Sequence, residues 1–191
     1  MGKVYDEITP ELRAWIEQQR VFFVATAPTG LDGERGEGHV NCSPKGLDSF
    51  RVLGPTMVAY LDLTGSGAET IAHLRENGRI CLMFCALEGP PLIVRLHGTG
   101  TVVTPEAADW REQLAPFAGP LTEQPGARSI IRVECTRVSD SCGYGVPRYE
   151  FADERDTLGK WCTKKGDDGL AAYQQKHNLA SIDGLPALTP E

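Results

Sequence analysis

A mainly β fold of antiparallel strands with flanking helices, an α+β arrangement, is what this 191-residue sequence predicts. Three observations carry the prediction. Runs rich in β-branched and aromatic residues recur at short spacing between residues 21 and 141. Only short helical patterns interrupt them. The regular alternation of strand and helix that a doubly wound parallel sheet requires is missing. Such spacing fits an antiparallel barrel or sandwich.

The elements follow in order. Thr9-Pro10-Glu11 reads as a helix start, with a cap, a proline in the first turn and then an acid. Leu12, Trp15, Ile16 and Gln19 continue it at helical spacing. Residues 21–27, VFFVATA, read as a strand. A glycine-rich charged loop covers 28–38, and the alternating stretch HVNCSPKG covers 39–46. TMVAYLDL, 56–63, is the next strand. ETIAHLREN, 69–77, is a short amphipathic helix with Ile71 and Leu74 inward, stopped by Asn77-Gly78. RICLMFCAL and LIVRLHGTGTVV are long strands joined through Gly89-Pro90-Pro91. Thr104 reads as the cap of a helix over 104–117. ARSIIRVECTRVSDS, 127–141, is the last long strand. Residues 142–191 change in character to a helical, polar, turn-rich tail carrying Tyr144, Tyr149, Phe151, Trp161 and Tyr173. The expected organisation is therefore a β domain over 1–141 and a C-terminal tail over 142–191. That tail is expected to pack on the barrel or on a neighbouring subunit.

The net charge is -7. An acidic chain without a basic run argues against nucleic-acid binding. No run of about 18 apolar residues is present, so no membrane span is expected. The segment MGKVYDEITPELRAW lacks the apolar core of a signal peptide, and a cytoplasmic protein is expected. The six cysteines form no Cys-x-x-Cys, and the four histidines are scattered. Free thiols and no metal site are the expectation.

The stretch DLTGSGAETIAHL, 62–74, crowds Thr64, Ser66, Thr70 and two glycines into one turn before a helix. No lysine follows the glycines, so it is not a P-loop. Thr70 stands where a dinucleotide fingerprint needs its third glycine. Two roles stay open. Ser66 or Thr64 caps the helix, or the helix N-terminus binds an anion with its unpaired N–H groups.

The ordered set of pieces resembles the pyridoxamine 5'-phosphate oxidase-related family. The resemblance rests on Gly38-His39-Val40-Asn41-Cys42-Ser43-Pro44-Lys45-Gly46 and on a second strand ending Tyr60-Leu61-Asp62. It continues with the stop Glu76-Asn77-Gly78-Arg79 and the strand end Leu96-His97-Gly98-Thr99-Gly100. It covers residues 10 to 140. The tail resembles members with a Cys-Gly-Tyr-Gly-Val-Pro segment.

The resemblance implies a six-stranded antiparallel Greek-key split β-barrel and a homodimer with flavin sites at the interface. It implies FMN as cofactor and a small-molecule substrate. Its phosphate-binding strand falls on Asn41, Ser43, Lys45 and Gly46. Its turn and helix fall on Asp62, Thr64, Ser66, Gly67, Glu69 and Thr70.

This sequence departs from the oxidase. Glu69 and Thr70 stand in place of an Arg-Lys pair, and Asn41 stands in place of an arginine. Lys45 and Arg95 are the expected replacement cations. Trp161 is expected either near the flavin or in a helix-face core. The oxidase's C-terminal substrate-binding pattern is incomplete around Arg155, Leu158, Lys160 and Trp161. An FMN-dependent oxidoreductase that is not a true pyridoxamine phosphate oxidase is thus the expectation. The alternatives are a deazaflavin-dependent reductase of the same fold and a flavin-binding or sensing protein without turnover.

Overall fold

A computed structural model describes residues 2–30, 38–123 and 125–189. Most of the glycine-rich loop read at 28–38 lies outside the described residues. Among the described residues eight strands form one antiparallel sheet. In chain order they are β1 (Val4–Tyr5), β2 (Phe22–Thr26), β3 (Asn41–Lys45), β4 (Phe50–Val52), β5 (Met57–Leu63), β6 (Arg79–Cys85), β7 (Ile93–Val103) and β8 (Ala127–Ser141). The helices are α1 (Pro10–Ile16), α2 (Glu69–Asn77), α3 (Trp110–Leu114) and α4 (Thr157–His177).

The strands lie in the order β3-β2-β6-β7-β8-β5-β4, and β1 pairs with β8. β3 and β4 stand at opposite ends of this path, yet only residues 46–49 separate them in sequence. So short a connection forces the two ends together, and the sheet curls into a half-barrel. Phe22, Phe50, Tyr60 and Phe84 fill the curl with ring centroids 4.9–5.5 Å apart. Such tilted and edge-on contacts favour aromatic cores beyond simple burial.

The strand count exceeds the expected six by β1 and β4, two and three residues long. Neither is long enough to show alternation. α1 starts as its sequence indicates: the Thr9 hydroxyl accepts from Leu12 N–H at 3.3 Å. α2 ends at Gly78, whose φ of 72° is the left-handed conformation that glycine adopts without strain. Of the helix expected over 104–117, only Trp110–Leu114 and a 3-10 turn at Ala115–Phe117 form. Ala107 and Trp110 N–H groups bond three residues back, to Thr104 and Ala107 carbonyls, so turns occupy this segment and α3 begins only at Trp110. Thr104 caps no helix.

α4 breaks at Gly166, where φ is 63° and ψ 177°. Its second half and the segment after it lie against the barrel. Ala187 is fully buried in the main core, and Gly126 passes so close to α4 that a Cβ there would stand 2.7 Å from Cys162 Sγ. Among the described residues no helix is long and apolar enough to cross a membrane.

Candidate functional site

Asp62, near the end of β5, anchors the site. It is buried among apolar neighbours and meets two cations. Lys45 Nζ lies 2.8 Å from its Oδ1, and Arg128 Nε lies 2.7 Å from its Oδ2. Burial pushes the Asp62 carboxyl up, but the Lys45 and Arg128 charges more than offset this and hold it below the ordinary 3.8. The three side chains together leave one positive charge in a chain that is acidic overall. Lys45, at the end of β3, keeps its ammonium 5.9 Å from the centre of the Tyr60 ring.

A second group is a polar network. Asn41 Nδ2 donates to Thr26 Oγ1 at 3.1 Å and to Thr70 Oγ1 at 2.9 Å, and Ser43 Oγ donates to Asn41 Oδ1 at 2.9 Å. Thr26 Oγ1 lies 3.0 Å from His73 Nδ1. The hydroxyl holds the Nδ1 edge of the ring and leaves Nε2 on the opposite edge. That nitrogen is buried without a partner. Burial lowers the His73 pKa below 6.5, despite opposing pulls from Asp183, Glu69 and Glu76. His97 is lowered too, by burial and by Arg137 and Arg95.

A histidine held neutral by the fold gives its full stabilisation above the unfolded pKa and loses it as pH falls. Stability is therefore expected to drop between pH 6.5 and the carboxylate range. His73→Phe is expected to flatten that drop, read by thermal unfolding across the window. An unchanged slope in the variant would rule out His73 as its source.

The turn of residues 64–67 is held from outside. Thr64 Oγ1 donates to the Gly126 carbonyl at 3.0 Å and accepts from Gln174 Nε2 at 2.8 Å. Asn178 Nδ2 donates to the Gly65 carbonyl at 3.0 Å. So α4 and the residue after it grip the turn. The capping role is not what the structure shows: Ala68 is the N-cap of α2, and no side chain caps it. Ser66 is exposed. Glu69 lays its carboxylate over Gly67. A Cβ at that glycine would stand 2.2 Å from Glu69 Oε2.

Above this turn lies a cleft of about 620 Å³. Gly46, Leu47, Thr64 and Gly65 form one wall; Leu158, Trp161 and Tyr173 of α4 form the other, with Arg155 at the edge. The Trp161 and Tyr173 rings meet edge to face at 5.0 Å, and Lys165 sits over both. The volume lies within the range of about 300–1,000 Å³ that small-molecule and cofactor sites occupy.

The structure thus brings Gly46, Thr64 and Trp161 into one cleft, with Lys45 and Asp62 beside it. Asn41, Ser43 and Thr70 bond to one another, and Ser66 and Gly67 lie just before the open start of α2. Arg95 stands apart. It pairs in register with Met83, which pairs with Phe23, whereas Lys45 pairs with Phe22. Adjacent residues of one strand face opposite ways, so Arg95 projects from the other face of the sheet. There its Nη1 donates to Ser141 Oγ at 3.0 Å.

Sequence reasoning misses Arg128, Tyr173, Gln174 and Asn178. Arg128 carries a signal: it is a charge at the head of a strand whose next residues run Ser-Ile-Ile, and a buried cation needs an anionic partner.

Residues 8–142 match the family described as pyridoxamine 5'-phosphate oxidase. A relative from Aspergillus flavus, the pyridoxamine 5'-phosphate oxidase family protein ustO, is 40% identical over 204 residues. The alignment spans 96% of this chain and 77% of that protein. The chain belongs to the pyridoxamine 5'-phosphate oxidase family.

Two crystal structures of HupZ from Group A Streptococcus share the fold of this family member. One, of a histidine-to-alanine variant, has a TM-score of 0.53 at 24% identity, over 70% of this chain and 99% of that one. The other has a TM-score of 0.52 at 24% identity, over 69% and 91%. The curled antiparallel sheet of this family member is a split barrel of the α+β class. Its family match ends at residue 142, so the α4 wall of the cleft lies outside the matched region.

Proposed function

We propose that the protein binds FMN and acts as a flavin-dependent oxidoreductase on a small molecule, and that it is not a true pyridoxamine phosphate oxidase. The observation that carries the reading is the cleft in which the β3 end and the Thr64–Gly65 turn face Trp161 and Tyr173 beside a net positive Lys45–Asp62–Arg128 group. Family membership supports it.

The residues present fit such a cofactor. The aromatic α4 wall suits a flat ring. The surplus cation of the Lys45–Asp62–Arg128 group suits an anion. Lys45, with Arg128 behind it, would balance the phosphate charge, and the Ser66 hydroxyl and nearby backbone N–H groups would donate to it. Trp161 and Tyr173 would lie along one side of the ring and keep water from it. Bound FMN would supply hydride and electron transfer, chemistry that belongs to the cofactor.

The outer face of β2 and β6 presents Phe23, Ala25, Cys81 and Met83, all half-buried in the single chain. We assign this apolar face to a homodimer contact.

The test is the absorbance spectrum of purified protein, with the mass of any released chromophore and light scattering on the same sample. A yellow dimer releasing FMN is expected. Lys45→Met is expected to weaken FMN binding roughly ten- to a hundredfold, the effect of losing one charge-assisted bond of about 1.5–3 kcal/mol. Colourless protein that takes up no added FMN overturns the reading. Bound flavin that no reductant or substrate turns over leaves a flavin-binding protein and removes the enzyme.

A further inference from the structure

A second compartment opens directly beside the cleft. Its volume is about 840 Å³. The two share Leu47, Glu154, Arg155 and Leu158 in their walls. The compartment is floored by apolar groups: Leu47, Leu63, Pro120, Leu121, Pro125 and Leu158. Neither the Asp62 group nor the aromatic pair uses it.

Its rim carries charge of one sign in excess. Arg20, Arg155, Lys160 and Lys164 line it, against Asp48, Glu154 and Asp156. Two of the acids already have partners. Asp48 pairs with Arg51 from outside the compartment at 3.0 Å, and Asp156 pairs with Lys160. Among the described residues Arg20, Arg155 and Lys164 make no ion pair, and only Glu154 stands against them. Arg20 is held over the Phe151 ring at 5.1 Å, which fixes its guanidinium at the mouth. In a chain of net charge -7 such a local surplus of cations is a selective feature. An apolar floor with a cationic rim recognises a molecule that is apolar along its body and anionic at one end.

We propose that this compartment binds a carboxylate on an apolar skeleton, seated on the leucine and proline floor with its charge between Arg155 and Lys164. The ligand's role as substrate rests on the flavin reading, because the shared wall delivers it to the aromatic cleft. Its binding does not rest on that reading.

The experiment is calorimetric titration of the full-length protein with octanoate, 1-octanol and octylamine, with flavin content of the same sample read by absorbance. Octanoate is expected to bind roughly tenfold tighter than octanol, the effect of one charge-assisted bond, and octylamine more weakly than either. In the double variant Arg155→Gln with Lys164→Gln, octanoate and octanol are expected to bind equally. Leu121→Ala is expected to weaken octanoate and octanol alike while far-UV circular dichroism stays unchanged.

Equal binding of octanoate and octanol by the unaltered protein overturns the proposal, as does preference for octylamine or no binding of any of the three. Flavin content separates the two readings. Flavin bound without carboxylate preference removes this inference alone. Carboxylate preference in a protein that takes up no flavin keeps the site and removes its role in flavin chemistry.

Discussion

Asp62→Asn is expected to lower the unfolding free energy by about 3–5 kcal/mol, the cost of removing one partner from a buried ionic group. The side chain of Asp62 is 1% exposed and that of Arg128 5%. Without the carboxylate, the Lys45 and Arg128 charges face each other with no counter-ion in a poorly solvated site. The asparagine offers an N–H₂ donor to Lys45 and Arg128, which are themselves donors only.

Urea denaturation reads the loss. Adding Lys45→Met to Asp62→Asn is expected to recover part of it, since one of the two stranded charges goes. FMN or phosphate should stabilise the single variant more than the wild type, because an anion then takes the vacated role. The pH dependence follows from the same group. The folded state lowers the Asp62 pKa below 3.8, so its contribution is complete above that value and is lost as pH falls through the folded pKa. In Asp62→Asn that acid-side loss should be smaller. A variant within about 1 kcal/mol of wild type, set against the expectation of about 3–5 kcal/mol, would show that the ionic group contributes little.

Gly126→Ala is expected to be nearly as damaging, for two separable reasons. The residue has φ of +128°, a conformation that side chains rarely adopt, which costs about 1–3 kcal/mol. Its new Cβ would also stand 2.7 Å from Cys162 Sγ, an overpacking of about 1–3 kcal/mol. The same residue's carbonyl accepts from both the N–H and the hydroxyl of Thr64. A shift here therefore moves the turn and the helix that together make the cleft. Denaturation midpoint and FMN uptake should fall together. Cys162→Ala in the same chain removes the contact and leaves the backbone strain, so it should restore only part of the stability. Full restoration would assign the whole cost to the sulfur contact; no restoration would assign it to the backbone.

The six long strands are legible in the sequence because each spans enough residues to show β-branched runs or alternation. β1 and β4 are not, and β4 is the one that closes the curl. The turn at 104–109 is misread as helix because Thr104-Pro105-Glu106 carries the same start signal as Thr9-Pro10-Glu11. Both starts are followed by apolar residues at helical spacing, Trp110, Leu114 and Phe117 in the second case, so local pattern does not separate them.

At the site, the isolated acid Asp62 inside an apolar strand and the isolated Lys45 point to each other once they are known to be close. Strand order supplies that closeness, and no local pattern contains it. Arg95 shows the same limit from the other side. It is a lone charge in an apolar strand, as Arg128 is, and only the register through Met83 and Phe23 reveals that it faces away. The α4 contributions at Trp161, Tyr173, Gln174 and Asn178 depend on a helix packing against a turn far earlier in the chain, which periodicity does not record.

The grip of Gln174 and Asn178 on the Thr64–Gly65 turn spans 110 and 113 residues of chain. The sheet's own closing link spans residues 46–49. Loop-closure entropy grows with the length of chain enclosed, so these two events belong to different stages of folding. All eight strands have been synthesised by residue 141, and the barrel can curl while α4 is still being made. The cleft has only one wall until α4 docks. A nascent chain therefore acquires the curl of its sheet from a short link and the second wall of its cleft only from the far end of the chain.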